Sequence, residues 1–310
     1  MTAATTQRAL SRQVLRIRIA QLLVNEGLKR NEFKIPIHLA LGHEAIAAAV
    51  DHVMQDGDQL LLTHRNIHYN IARCADFGAE YREYRLSPDG LAGGRLGSMN
   101  LSAPKQGVPY ASSILGNNLP VAAGIALAER VEDSGHVTFV VTGDGAMEEG
   151  AFYESLLFMK SAGLAAIVIV ENNGWSLATD VQQRRCDIDL AALAGSLSVP
   201  YRELAGRDAV ACADALAQLR DTARQDGTPV VAEVPLKTLG FWHVPDDRFP
   251  VEGRFINYHH GASPSAKLSG WPVLEDSDDD PVHVLRRYAD DIWLNEMAQE
   301  LRGELGRDVS

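Results

Sequence analysis

Cysteine is scarce in this chain. Cys74, Cys186 and Cys212 are the only three; they lie far apart and form no C-x-x-C pair. That excludes a disulfide framework and a thiolate zinc site. It fits a reducing cytoplasm, with the cysteines as small buried hydrophobes. Aromatic residues supply only 6% of the sequence, while Gly and Ala are frequent, the balance expected where helices pack closely on parallel strands. Long apolar runs are missing too. No stretch approaches the roughly 20 residues that span a bilayer. The N-terminal stretch MTAATTQRALSRQVLRIRIAQLL has arginines spread through its apolar residues, which reads as an amphipathic helix and not a signal peptide. Positive charge is in deficit, with a formal net charge of -12. Such a surface repels phosphate backbones and anionic lipid, so neither nucleic acid nor membrane is expected as the main partner. The common nucleotide signatures are also lacking: there is no G-x-G-x-x-G after a strand and no Walker lysine. No internal repeat is visible.

What is present is an alternation of helical and strand patterns in 310 residues, 46% of them hydrophobic, enough for one large or two modest domains. Leu10, Val14, Ile17, Ile19, Leu22 and Leu23 predict a helix over 7–28, with Gly27 as its stop. A second helix is expected over 43–54 and an Ala-rich one over 117–132. Between them, 84–112 is rich in Gly, Ser and Pro and reads as a long functional loop. HVTFVVTGDG (136–145) is a β-branched run emptying into a Gly-Asp-Gly turn, and EEGAFYESLLFMKSAG (148–163) is a helix with Gly163 as its C-cap. LAAIVIVENN (164–173) is a second buried strand. A helix around 208–225 and a third strand, TPVVAEVPL (228–236), follow. Strand, helix and strand at this spacing make a βαβ unit, and the whole predicts a doubly wound parallel sheet flanked by helices. Past residue 240 the periodicity fails, until 281–306 returns to a charged amphipathic helix.

In such sheets ligands sit beyond the carboxyl ends of the strands, where this sequence places Asp144 and Asn173. Asp144 offers a carboxylate and Asn173 an amide oxygen, both hard donors suited to Mg²⁺, which takes one or two side-chain oxygens and fills its sphere with phosphate oxygens and water. Gly143 and Gly145 allow a bulky polyphosphate to approach the backbone. Each turn alone is ordinary turn chemistry. The pair, at matched strand ends one crossover apart, is more specific.

The run GDGAMEEGAFYESLLFMKSAGLAAIVIVENNGWSLAT resembles the thiamine diphosphate motif, which opens with GDG and closes with NN. More narrowly, the chain resembles the alpha subunit of the first component of 2-oxo acid dehydrogenases of the pyruvate, branched-chain or acetoin type. Four further segments fall in the family's order: IHLALGHEAIAAAV (37–50) for HLxxGQEA, GDQLLLTHRNIHYNIA (57–72) for Asp…Tyr-Arg-x-His, GRLGSMNL (94–101) for GRGGSMHL, and SILGNNLPVAAGIALA (113–128) for GIVGAQVPLAAGAALA. The resemblance runs continuously over about 10–180 and more loosely to about 235.

The resemblance implies a thiamine diphosphate-binding fold and two cofactors, thiamine diphosphate and Mg²⁺. The metal would be held by Asp144, Asn173 and the main-chain carbonyl of Trp175. The diphosphate would be held by Gly143, Gly145, Ala146 and Arg65, whose guanidinium fork matches phosphate oxygens. His64 stands where the family has tyrosine. Ser113 and Leu115 fall where the family's backbone meets the aminopyrimidine. Residues 1–240 would form the diphosphate- and Mg²⁺-binding domain, and 241–310 an irregular segment and helix packed on it or on a partner. The activating glutamate of the family belongs to a pyrimidine-binding domain, so a separate beta subunit is implied, in an assembly of two alpha and two beta chains. The implied reaction is decarboxylation of a 2-oxo acid with transfer of the acyl unit to a lipoyl arm or another carrier.

The tail departs from the family. Where alpha subunits carry a histidine-rich HGHS loop, this chain reads KTLGFWHVPDD (237–247), with His243 the nearest substitute. NYHHGASPS (257–265) instead resembles the HG-x-x-P segment of transketolases, with His260 the corresponding histidine. His260, His243 and His68 are the catalytic candidates. Two further readings follow: the cofactor-holding subunit of a split transketolase-like enzyme, and a non-catalytic cofactor-binding partner.

Overall fold

The structure, a computed structural model, describes residues 3–177, 179–240, 242–244, 247, 254–256 and 259–309; of 242–244 and 255–256 it describes the backbone alone. The chain opens with helices α1 (Ala3–Lys29) and α2 (Glu44–Val53), strand β1 (Gln59–Thr63), and helices α3 (Ile67–Arg73) and α4 (Phe77–Tyr84). Strand β2 (Tyr110–Ser112), helix α5 (Asn118–Val131), strand β3 (Thr138–Gly143), helix α6 (Gly150–Ala162) and strand β4 (Ala166–Asn172) form the middle. After a small hairpin of β5 (Trp175–Ser176) and β6 (Thr179–Asp180) come α7 (Val181–Arg184), α8 (Leu190–Ser196), β7 (Tyr201–Glu203), α9 (Ala209–Asp226) and β8 (Val230–Pro235). The tail holds a second hairpin, β9 (Trp242–Val244) with β10 (Arg254–Ile256), and helices α10 (Pro281–Val284) and α11 (Asp291–Asp308).

Six strands form one sheet in the order β2-β1-β3-β4-β8-β7, every neighbouring pair parallel. The alternation of side chains across a strand divides the core in two. Leu60, Leu62, Phe139, Val141, Ile167, Ile169, Val230 and Ala232 pack with α1, α2 and α9. Leu61, Val140, Val168, Val170 and Val231 pack with the apolar faces of α5, α6 and α8. Burial on both faces is why these strands read as continuous apolar runs. Each fully buried Val, Leu, Ile or Phe contributes about 1.5–3 kcal/mol. The fold is thus the doubly wound parallel sheet that the periodicity predicts.

Many helix starts are capped by aspartate. Asp76, Asp189, Asp208 and Asp290 each accept from backbone N–H groups of the first turn of α4, α8, α9 and α11. Part of the acidity of the sequence therefore serves local structure. Gly163 caps α6 at φ +62, as expected. Gly27, expected to stop α1, does not, since the helix continues to Lys29. Gly27 is needed for close packing instead, because a Cβ there would lie 2.4 Å from the Tyr81 hydroxyl and 2.7 Å from the Phe33 ring. The helix expected over 281–306 is broken into α10 and α11, because Asp290 caps a new helix by accepting from Trp293 N at 2.9 Å. Cys74 and Cys212 are buried as expected, but Cys186 is exposed.

Two polar devices tie the outlying segments to this core. Arg18 on α1, fully buried, donates to Glu44 at 2.6 and 3.0 Å, to Asp280 at 2.9 and 3.2 Å, and to Pro272 O at 2.9 Å. It joins α1, α2 and the tail, and α11 also packs along α1. The loop after α4 is laced by Glu83, whose carboxylate accepts from the N–H groups of Ala92, Gly94, Leu96 and Gly97.

Candidate cofactor cleft at the carboxyl edge of the sheet

In a parallel sheet all carboxyl ends lie on one edge, and here the chain leaves β1 towards β2 on one side and β3 on the other. A cleft of about 610 Å³ opens at that edge. Thr63 ends β1, with His64 and Arg65 after it; Ser112 ends β2, with Ile114 and Leu115 after it; Gly143 ends β3, with Asp144, Gly145 and Ala146 after it; Asn173 and Trp175 follow β4. The register of β3 and β4 pairs Gly143 with Glu171, so the polar ends Asp144 and Asn173 emerge side by side. The backbone N–H of Asn173 is among the groups that favour the charged form of the Asp144 carboxylate. Gly145 is tightly placed, since a Cβ there would meet Ser176 Oγ at 3.0 Å.

The charges of the cleft are arranged with care for sign. Asp144 is buried, and burial pushes its carboxyl up from the usual range, offset by the Arg184 guanidinium and by backbone N–H groups. Arg184 lies 2.6 Å from Asp144 Oδ2 and also pairs with Glu148, so this carboxylate already holds a cationic group. Arg65 is the converse. It donates to the carbonyls of Leu39 and His259, and among the described residues it has no carboxylate within ion-pair distance. Burial pushes its pKa down to about 10, with Glu171 and Asp144 opposing from farther off. A half-buried cation bonded only to carbonyls, on the wall of a cleft, is a site that an anion completes.

Around Arg65 stand four imidazoles. The rings of His38 and His259 are 4.5 Å apart, those of His38 and His64 4.8 Å, and those of His64 and His259 4.8 Å; His260 stacks on His38 at 5.7 Å. Burial, followed by the charge of Arg65, pushes His64 down to about 4 and His259 to about 3, and His38 is lowered further still. All three are neutral at pH 7 and able to donate or accept a hydrogen bond.

A second polar cluster reaches the cleft wall through His43 and Glu171, with His68 behind them. Glu171 accepts from His43 Nδ1 at 3.0 Å, from His68 Nε2 at 3.0 Å and from the Tyr69 hydroxyl at 2.8 Å. Burial alone would raise its carboxyl, but His68 and His43 outweigh that and hold it well below the usual carboxylate range.

Of the residues that the sequence singles out, Arg65, His64, Leu115, Gly143, Asp144, Gly145, Ala146, Asn173 and Trp175 all line the cleft. Ser113 does not, although its neighbours Ser112 and Ile114 do; its N–H donates to Asn100 Oδ1 at 3.2 Å. His68, expected to be catalytic, is fully buried on Glu171 and does not line the cleft. The side chain of His243 lies outside the described residues. Of the pair in the tail, His259 lines the cleft and His260 stands behind it against His38. Sequence reasoning missed Glu171, Thr238 and Arg184. A carboxylate at the end of the apolar run AIVIVEN was the available signal for Glu171. Nothing in the local pattern marks Thr238 or Arg184.

The family of dehydrogenase E1 components matches residues 14–236. The chain is similar to the alpha subunit of acetoin:2,6-dichlorophenolindophenol oxidoreductase from Cupriavidus necator, with 31% identity over 197 residues, 64% of this chain and 59% of that protein. It is also similar to the alpha subunit of the pyruvate dehydrogenase E1 component from Rickettsia felis, with 26% identity over 271 residues, 86% of this chain and 78% of that protein. The match to the Cupriavidus protein and to its Bacillus subtilis counterpart thus spans about three-fifths of their length, 59% in each. Among solved structures, a transketolase from Pichia stipitis superposes with a TM-score of 0.59 at 18% identity, over 99% of this chain and 46% of that one, which is a likeness of fold. No helix among the described residues is long and apolar enough to cross a membrane. With its motifs in order, its site at the carboxyl edge and the match over 14–236, the chain belongs to the dehydrogenase E1 component family.

Proposed function

We propose that this chain is the alpha-type subunit of a heteromeric thiamine diphosphate enzyme that decarboxylates a 2-oxo acid and passes on the resulting acyl unit. The carrying observation is the cleft itself, where a half-buried Arg65, with no carboxylate at ion-pair distance among the described residues, shares the carboxyl edge of the sheet with the hard oxygen donors Asp144 and Asn173. The residues fit a Mg²⁺-diphosphate group. Asp144 already attracts a cation and Arg65 calls for an anion. Asp144 and the amide oxygen of Asn173, with the Trp175 carbonyl, would hold the metal. Arg65 and the backbone of Gly143–Ala146 would hold the diphosphate. When bound, thiamine diphosphate supplies the electron sink that lets a 2-oxo acid lose carbon dioxide.

The chain's own residues then orient the reactants and manage protons. His64 and His259, neutral at pH 7, offer N–H donors and ring acceptors at the cleft wall, and His260 backs them through His38. A beta-type chain with a pyrimidine-binding domain and its activating glutamate completes the site, in an assembly of two alpha and two beta chains, with a lipoyl arm or carrier protein as acceptor. Ile114 and Leu115 support this, because they line the cleft and yet are 69% and 42% exposed, apolar surface that a partner would cover. A cytoplasmic location accords with the free thiols of this chain.

A second reading rests on the same segment: His260, the histidine that corresponds to the transketolase pattern, stands behind the cleft against His38, but its neighbour His259 lines the cleft wall. In that case the donor is a ketose and a two-carbon ketol unit moves to an aldehyde. The test is to supply this chain with a beta-type partner, thiamine diphosphate and Mg²⁺, then assay carbon dioxide release from a panel of 2-oxo acids and ketol transfer from ketose phosphates. Carbon dioxide release, lost in Asp144→Ala, is expected. Ketol transfer without decarboxylation would favour the second reading, and neither activity despite bound cofactor would leave a non-catalytic binder.

A further inference from the structure

The side-chain amide of Asn173 is held at both ends. The backbone N–H of Trp175 donates to Asn173 Oδ1 at 3.0 Å, and Asn173 Nδ2 donates to Thr238 Oγ1 at 3.1 Å. A backbone N–H can only donate, so the atom facing Trp175 must be the oxygen, and the NH₂ must face Thr238. The Thr238 hydroxyl carries a single proton. Its two lone pairs leave it free to accept twice, so the direction is set from the other end: Glu171 Oε2 can only accept, and a neutral His43 therefore carries its proton on Nδ1, 3.0 Å away. That leaves His43 Nε2 as an acceptor, to which the Thr238 hydroxyl, 3.0 Å away, turns its proton. The other oxygen, Glu171 Oε1, is taken by Tyr69 and His68. Donation runs one way, from Asn173 through Thr238 and His43 to a carboxylate that can only accept. Glu171, Thr238 and His43 are buried, at 7%, 6% and 1% exposed, while Asn173 at the head of the relay is half-buried on the cleft wall. Reversing any link would set donor against donor or acceptor against acceptor where water cannot compensate.

The chain backbone brings this relay together by an unusually close approach. Gly42, at φ +96, lies so near Lys237 that a Cβ would stand 2.1 Å from its carbonyl oxygen. Next to it Leu239 N donates to Leu41 O at 2.7 Å. The contact pins the segment after β8 to the start of α2 and sets His43 against Thr238.

We infer that Thr238 is a positioning residue for the metal site: through the relay ending on Glu171 it fixes the Asn173 amide so that the remaining lone pair of Oδ1 is presented to a divalent cation held jointly with Asp144. The inference rests on the Mg²⁺ reading proposed above. It explains why a threonine hydroxyl and a histidine are buried behind a cleft that they do not both line. Thr238→Val keeps the shape and removes both hydrogen bonds; Thr238→Ser keeps the hydroxyl.

The experiment is Mn²⁺ titration followed by electron paramagnetic resonance, in the presence of thiamine diphosphate, on the full chain alone and with a beta-type partner. Thr238→Val should weaken Mn²⁺ binding about 10- to 100-fold, the range found when groups supporting a metal ligand are lost. Thr238→Ser should restore it to within a few-fold; Thr238→Val, which leaves His43 Nε2 and Asn173 Nδ2 without their partner, should lower the thermal midpoint somewhat, so binding is compared well below the midpoint of every variant. In an Asn173→Ala background, Thr238→Val should have no further effect. Wild-type uptake left unchanged by Thr238→Val overturns this inference alone. A wild-type chain that takes up no Mn²⁺ under either condition overturns the cofactor reading and the inference with it.

Discussion

At the residue scale the site consists of charges and rings whose states are set by burial. His64 and His259 ionise near 4 and 3 in the folded chain against an ordinary 6.5, because burial and then Arg65 oppose their charging. The unfolded chain takes up protons as the pH falls through 6.5, while the folded chain does not until far lower. Stability supplied by these rings is therefore complete above 6.5 and is lost as the pH falls towards 4 and 3. The urea midpoint of the protein should drop between pH 7.5 and pH 5, and His64→Asn should flatten the drop; a midpoint independent of pH over that range would show that the rings are not held neutral. The residues themselves were partly legible. Asp144, Asn173 and Arg65 could be placed because strand ends and family motifs mark them. His68 could not be placed, because whether a helix turns a histidine to a cleft or to a buried carboxylate depends on which strand packs beneath it. Here that strand is β4, carrying Glu171.

At the scale of elements, strong periodicity decided what could be read. The helix over 117–132, the unit from β3 through α6 to β4, the helix over 208–225 and the strand over 228–236 all stand close to where their patterns predict. The short elements β1, β7, α3, α4 and α8 were not legible, since strands and helices of a few residues carry too little pattern to separate from loops. Nor was the internal order of 84–112 visible, because much of its first part depends on a single carboxylate just ahead of it, Glu83, whose role no local periodicity marks. Glu83 takes four backbone N–H groups, and removing it would leave them without an acceptor. Each stranded group costs about 1–3 kcal/mol where water cannot replace the carboxylate. Glu83→Ala should lower stability by at least about 2 kcal/mol in urea titrations and speed protease cleavage within 87–100. Unchanged cleavage would mean that other contacts suffice to hold the loop.

At the scale of the whole molecule, the tail is bound to the body by the Arg18 triad, with Arg18, Glu44 and Asp280 all fully buried. Removing one member of such a set strands the other charges, so Arg18→Ala should cost roughly 3–5 kcal/mol in urea unfolding; a cost under about 1 kcal/mol would show that water reaches the triad. The sequence suggested an irregular tail but not that its aspartate completes an ion triad begun on α1, 262 positions earlier. At the carboxyl edge of the sheet the molecule presents an open, partly apolar cleft that brings a half-buried guanidinium, bonded to carbonyls, near a carboxylate. The measurement that bears most directly on its purpose is calorimetric titration of thiamine diphosphate with Mg²⁺, on the chain alone and mixed with a beta-type partner, with Asp144→Ala as control. Binding that requires Mg²⁺, is strengthened by the partner and is lost in Asp144→Ala is the predicted result; no binding under any of these conditions would contradict the account and leave the Gly-Asp-Gly and Asn-Asn turns as scaffold.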